Sequence, residues 1–173
     1  MKKFFLISVI IITSASLIKA QTPYTSSKDS AHPEVKILNG VISKYILQND
    51  ASFGWYASNQ NAYKPDAAVL NAMEAAKNKF QFVVFGGTWC EDTQFILPKF
   101  FKLQEQAGVA DNNISFFAVN REKQTLGNVA SAFKIINVPT IIVMKDGKEV
   151  GRVVEYGKTG KWDKELTDIL QLF

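Results

Sequence analysis

Residues 82–93, which read FVVFGGTWCEDT, decide the fold. The four apolar residues at the start predict a short strand covered on both faces, because a strand with one solvated face would alternate. Two glycines then allow a turn, and Cys90, the only cysteine in the chain, stands where a helix should begin. Backbone N–H groups and the helix dipole stabilise a thiolate over a thiol at such a position. The stretch therefore predicts a strand that delivers a single reactive thiol to a helix N-terminus, although a free cysteine is also commonly a small buried hydrophobic residue.

The segments after Cys90 predict an α/β domain over residues 80–173. Apolar residues at helical spacing follow the cysteine, with Pro98 inside the helix, and buried strands are expected at 114–119 and 140–144 with a short helix between them. Asp146-Gly147 predicts a tight hairpin turn before a strand at 149–155, and an amphipathic helix from Trp162 closes the domain. The first core strands should be parallel and the hairpin strands antiparallel. The prediction is a mixed central sheet with helices on both faces.

The first twenty residues have the layout of a secretory signal peptide. Lys2 and Lys3 precede an apolar run at 4–12, and small residues follow near a cleavage point at Ala20. An uncleaved membrane anchor is the alternative, but the run is short for a spanning helix. We expect an exported protein, periplasmic or extracellular, without a stable membrane anchor after cleavage.

Residues 21–79 are predicted to extend the core domain. The polar segment 21–32 is interpreted as a flexible arm. A helix is expected from Pro33, because Val35, Leu38 and Ile42 recur at helical spacing. The segment 57–63 is expected to be a loop, and a second helix should begin after Asp66 as N-cap. The prediction for 33–79 is thus an N-terminal helical extension packed on the core.

Charge and composition exclude several classes of function. Without residues 1–20 the formal charge falls from +4 to +1, so nothing in the remaining chain favours nucleic-acid binding. One histidine and one cysteine give no metal-binding cluster, and Gly86-Gly87 lacks the other residues of a phosphate-binding loop. We expect no metal and no cofactor. A single cysteine also excludes an intrachain disulfide, so an exported thiol of this kind is either reactive or intermolecular.

The order of these motifs resembles the thioredoxin family over residues 79–173. The matching features are Trp89-Cys90 with Thr93 three residues after the cysteine, Pro98 in the following helix, Val138-Pro139-Thr140, the Asp146-Gly147 turn, and Gly157 before the last helix. The resemblance implies a thioredoxin-like fold in which Pro139 is cis and faces Cys90, whereas the residues alone do not predict a cis bond and allow a trans proline at the start of a strand. It also implies that Trp89, Val138 and Pro139 form a substrate groove, with the backbone of Val138 pairing with an extended peptide.

Two positions depart from the family pattern. Thr93 stands where the family usually has a second cysteine, and Val84 stands where many members have a buried acid. A hydroxyl cannot resolve a mixed disulfide, so Thr93 is left to hydrogen-bond the Cys90 thiolate or to cap the helix. Glu91 and Asp92 suit a helix start but oppose ionisation of a neighbouring thiol.

The sequence therefore leaves two functions open. The first is an exported thiol–disulfide oxidoreductase that acts as a monothiol, with Cys90 and Thr93 as catalytic residues. Its partners would be protein or small-molecule thiols and disulfides, together with an external thiol reductant. The second is a non-catalytic thioredoxin-fold module that binds a peptide or partner protein in the groove near Trp89 and Pro139.

Overall fold

A computed structural model describes residues 22–172, and the predicted signal peptide lies outside them. A β-hairpin opens the described chain, and short helices lead from it to the first core strand. The bounds are β1 (Tyr24–Lys28), β2 (Lys36–Ile42), α1 (Lys44–Asn49), a 3-10 turn (Ala51–Phe53), α2 (Trp55–Ala62), α3 (Ala67–Ala76) and β3 (Gln81–Gly86). The rest of the chain comprises α4 (Glu91–Gln106), a 3-10 turn (Asp111–Asn113), β4 (Ile114–Ala118), α5 (Val129–Ala132), β5 (Thr140–Lys145), β6 (Lys148–Val154) and α6 (Trp162–Gln171).

The strands form one mixed sheet in the order β1-β2-β4-β3-β5-β6. Strands β3 and β4 are parallel, as predicted, and β5 is antiparallel to both β3 and β6. Asp146 and Gly147 have φ values of 50° and 74° and make the tight turn between β5 and β6. The mixed sheet of the sequence prediction is therefore confirmed.

Two apolar clusters cover the two faces of the sheet. The larger one joins β3 residues Phe82 and Val84 to helices α2, α3, α4 and α6. The smaller one contains Phe85, Val138 and Ile142, with α5 packed against it. Successive residues of β3 thus point into opposite clusters, which explains why this strand is apolar without alternation. The prediction of helices on both faces is confirmed.

The flexible arm predicted at 21–32 is wrong. Strand β1 pairs antiparallel with β2 along its whole length, from Tyr24 opposite Gly40 to Lys28 opposite Lys36. The segment reads as disordered because it is polar, yet a solvent-exposed edge strand tolerates polar side chains when its partner supplies the backbone hydrogen bonds.

The helix predicted from Pro33 is also wrong, because residues 36–42 form β2 between β1 and β4. Gly40 adopts φ +127°, and a Cβ at this position would lie 2.5 Å from the Pro23 carbonyl oxygen. The close approach of the two strands therefore requires glycine here. The predicted loop at 57–63 is helical over most of its length, whereas α3 begins as predicted, with the Asp66 side chain accepting from Val69 N–H. The extension is thus a β-hairpin followed by helices.

Candidate functional site

Cys90 lies at the junction of β3 and α4, as the sequence predicts. It is the N-cap residue of the 16-residue helix α4, and its carbonyl accepts the first helical bond from Gln94 N–H at 3.0 Å. Its own N–H donates to Gly87 O at 2.9 Å, which closes the turn after the strand. Cys90 is half-buried and stands at the N-terminus of this helix.

The loop before β5 meets Cys90 from the other side. The thiol donates a hydrogen bond to the Val138 carbonyl oxygen at an Sγ–O distance of 3.2 Å. The Val138-Pro139 peptide bond is cis, as the family resemblance implies. Val138 and Pro139 are both buried, and the backbone carbonyl of Val138 is the group that contacts the sulfur. Cys90, Val138 and Pro139, three of the five predicted site residues, therefore lie together. Their roles in binding and catalysis stay predictions.

Thr93 is buried in the turn between β3 and α4. Its side chain is 1% exposed, and its hydroxyl accepts a hydrogen bond from Gly87 N–H at 3.2 Å. It therefore lies inside the turn beneath Cys90 and stabilises the turn. The predicted helix cap is wrong, because Cys90 is the N-cap residue and no side chain caps α4.

Trp89 forms the flank of the site. Its indole Nε1–H donates to Val119 O at 3.0 Å, which ties the loop to the end of β4. The Arg121 guanidinium lies 5.0 Å and the Lys123 ammonium 5.7 Å from the indole ring centroid. Two cations therefore lie within cation–π distance of the ring.

The N-terminal hairpin contributes residues that the sequence analysis did not identify. The Thr88 hydroxyl donates to Lys36 O at 2.8 Å and accepts from Leu38 N–H at 3.1 Å, so β2 is bonded two residues from Cys90. Asp29 is 2% exposed and binds Arg121, and this hydrogen-bonded guanidinium holds the pKa of the Asp29 carboxyl below its usual range. These bonds join residues 50 to 92 positions apart, so no local sequence pattern predicts them.

The acidic groups of the site are Glu91 and Asp92, not a buried carboxylate in the strand. Val84 is fully buried in the larger apolar cluster. Glu91 is exposed, and Asp92 is half-buried and hydrogen-bonded to the Tyr156 hydroxyl. Burial raises the pKa of Tyr156, and the charge and hydrogen bond of Asp92 raise it further. The site thus combines one thiol, two carboxylates in the first helical turn and a phenol.

Between residues 22 and 172, no three His, Cys, Asp or Glu side chains cluster as a metal ion would require. No helix in that range is both long and apolar enough to span a bilayer.

A strand, a turn and a cysteine at a helix start, facing a cis-proline loop, define a thioredoxin-like protein. The thioredoxin family model matches residues 65–168, and the chain belongs to the thioredoxin family. It is 35% identical to thioredoxin-1 of Saccharomyces cerevisiae over 79 residues, which cover 46% of this chain and 71% of the yeast protein. It is 32% identical to a thioredoxin-like protein of Acanthamoeba polyphaga mimivirus over 76 residues, which cover 44% of this chain but only 53% of the viral protein.

A solved structure supports the fold over a longer part of the chain. A Pseudomonas aeruginosa protein of unknown function aligns over 75% of this chain and 89% of its own, with a TM-score of 0.50 and 18% sequence identity. At this identity the similarity concerns the fold alone.

Proposed function

We propose that this protein carries out thiol–disulfide exchange as a monothiol through Cys90. The observation that carries the proposal is the position of the thiol, half-buried at the start of α4 and 3.2 Å from the carbonyl of the cis-proline loop. Membership of the thioredoxin family supports the same chemistry. The signal-peptide pattern of residues 1–20 supports export as part of the proposal.

In the proposed reaction the Cys90 thiol loses its proton to solvent, and the thiolate attacks one sulfur of a substrate disulfide. A new S–S bond joins Cys90 to that sulfur, and the other substrate sulfur leaves as a thiolate with the bonding electron pair. The hydrogen bond to Val138 O is lost with the thiol proton. Thr93 has no sulfur with which to attack the mixed disulfide, so an external thiol must release Cys90.

Alkylation of the native protein by iodoacetamide across pH tests the proposal, with Cys90→Ser as the blank. We expect Cys90 to be labelled in the folded state, faster than a cysteine in an unstructured peptide at neutral pH. In a second arm, 2-hydroxyethyl disulfide should add one half-molecule to the intact mass, and a reducing thiol should remove it. Absence of labelling in the native state, or labelling no faster than the peptide, contradicts the proposal.

The second candidate is a non-catalytic binding module, favoured by the burial of Val84 and by the hydrogen bond that engages the Thr93 hydroxyl. Its partner would be an extended peptide or a protein held between Trp89 and the Val138-Pro139 loop. Capture of partners by the native protein and by Cys90→Ala separates the two functions. Equal capture that survives reductant favours the module, whereas capture that needs Cys90 and disappears with reductant favours exchange.

A further inference from the structure

Cys90 lines a cleft of about 640 Å³ that the N-terminal hairpin helps to build. The start of α4 forms one wall with Glu91 and Asp92, and Trp89 also lines the cleft. The loop between β1 and β2 forms another wall and contributes Glu34. The cleft therefore includes a segment outside the region matched by the thioredoxin family model, which begins at residue 65.

The loop that forms this wall is fixed by its own hydrogen bonds. Buried Asp29 accepts from the N–H groups of Ala31 and His32 at 2.8 and 3.1 Å, and its other oxygen binds Arg121. Its backbone N–H donates to Val35 O at 2.9 Å, which closes the loop. The wall thus has a defined position before any substrate arrives.

The cleft has an excess of negative charge. Glu34, Glu91 and Asp92 line it, and within residues 22–172 none of the three forms an ion pair with a lysine or arginine. Arg121 also lines the cleft, but buried Asp29 balances its charge.

Two further groups, His32 and Lys123, affect the net charge near the cleft but do not make it positive. His32 Nδ1 lies 3.6 Å from a Glu34 oxygen and offsets that charge only when protonated. Lys123 contacts the Trp89 ring but does not line the cleft. A disulfide approaching Cys90 therefore meets a negative local potential.

We propose that this cleft makes Cys90 select disulfides that carry positive charge close to the sulfur, such as a cystine flanked by basic residues. The inference rests on the proposed exchange function and names its substrate class. The step is the one given above: a Cys90–S–S bond forms, the substrate S–S bond breaks, and the departing sulfur takes the electron pair. Local carboxylates raise the concentration of a cationic substrate at the sulfur and repel an anionic one.

Three symmetrical small disulfides of different charge test the inference on the full folded protein. Cystamine is cationic, 2-hydroxyethyl disulfide is neutral and 3,3′-dithiodipropionate is anionic. Intact-mass measurements over time give the rate of mixed-disulfide formation at Cys90 for each probe. Each rate is divided by that of the same probe with N-acetylcysteinamide, which removes the intrinsic reactivity of the probe.

We expect the normalised cationic rate to exceed the anionic rate by about tenfold or more at low ionic strength, as for other electrostatically steered associations. The ratio should fall towards one in about 1 M salt, where the screening length is about 3 Å. This salt dependence is measured on the unmodified sequence and needs no variant to fold.

Charge-removing variants locate the effect. The triple variant E34Q/E91Q/D92N should reduce the cation-to-anion ratio to about one. The matched control E74Q/D146N/D168N removes the same number of charges from exposed positions away from the cleft and should keep the ratio. The readout is the ratio and not the absolute rate, because removal of carboxylates beside Cys90 changes its reactivity towards every probe.

Each outcome has a defined meaning. A ratio near one in the unmodified protein, or a ratio that survives E34Q/E91Q/D92N, overturns the inference, and reaction with the neutral probe then leaves the exchange function standing. Failure of all three probes to form a mixed disulfide overturns the exchange function itself. A ratio that salt and the cleft variant abolish, but the control variant retains, supports the inference.

Discussion

Thr93→Cys should convert the proposed monothiol site into a dithiol site. Residues three positions apart at the start of a helix have Cβ atoms about 5–6 Å apart, which a small adjustment brings within disulfide range. The new thiol would attack the mixed disulfide at Cys90, release the bound half and leave a disulfide between positions 90 and 93. The variant should therefore react with 2-hydroxyethyl disulfide and end 2 Da lighter, since two hydrogens are lost, with no adduct.

The rate of release gives the prediction a magnitude. An effective molarity of about 1 M for the new thiol is far below the values reached by well-oriented intramolecular reactions. Even so, release would be about a thousandfold faster than by about 1 mM external thiol of equal reactivity. Rapid mixing followed by acid quench and intact-mass analysis measures the adduct lifetime.

The substitution also has a structural cost. Sulfur is a weaker acceptor than the Thr93 hydroxyl for the buried Gly87 N–H, and the methyl group is lost as well. The expected loss of folding free energy is about 1–2 kcal/mol, measured by urea unfolding of the reduced protein. Thr93→Ser is the matched control: it keeps the acceptor and should keep a long-lived adduct. If the Thr93→Cys adduct lasts as long as the Thr93→Ser adduct, the view that position 93 limits the cycle is refuted.

Three further substitutions test the packing and charge of the fold. Lys44→Met should cost about 2 kcal/mol in urea unfolding, because the buried ammonium binds Gln104 and two half-exposed carboxylates, and its removal leaves the buried Gln104 Oε1 without its donor; an unchanged midpoint would contradict this. The Lys36 ammonium lowers the pKa of Asp50 from 3.8 to about 2, so the pair stabilises the fold above pH 4 and its contribution is lost as pH falls through about 2. Asp50→Asn should thus lower stability at pH 6, and most but not all of this deficit should be gone at pH 2; an equal deficit at both pH values would refute the assignment. Gly86→Ala places a Cβ 2.6 Å from a Leu97 methyl carbon and should cost about 1–3 kcal/mol of folding free energy, measured by thermal unfolding. Gly108→Ala serves as the comparison, because its Cβ would meet open space and its cost would come from the strained φ of +68° alone.

The sequence predicts the segments whose structure is determined by nearby residues. Residues 82–85 form a strand because they are apolar on both faces, and Asp146-Gly147 makes its turn because both residues tolerate positive φ. Asp66 begins α3 because its side chain reaches the N–H of Val69. In each case the stabilising partner lies within a few positions, so the local pattern is sufficient.

The hairpin of β1 and β2 is mispredicted because its stabilisation comes from distant residues. Val35, Leu38 and Ile42 have helical spacing, but β2 is held by β4, whose Phe116 lies opposite Ile42. The bonds of Thr88 to Lys36 and Leu38, and of Arg121 to Asp29, cannot be inferred from one segment at a time. Local hydrophobic periodicity fails to predict the secondary structure where pairing with a distant strand stabilises a different conformation.

Thr93 and Val84, the two departures from the family pattern, affect the same stage of the proposed reaction. Attack on a disulfide needs the thiol, the helix start and the cis-proline loop, and Cys90, α4 and Val138-Pro139 are all in place. Resolution of the mixed disulfide needs a second sulfur and benefits from a nearby proton acceptor, and these positions hold Thr93 and the fully buried Val84. The groups that attack the substrate disulfide are present, and the groups that resolve the mixed disulfide are replaced. This pattern supports a reaction that halts at the mixed disulfide until an external thiol releases Cys90. In the proposed cycle, the identity of the external thiol then matters as much as that of the substrate.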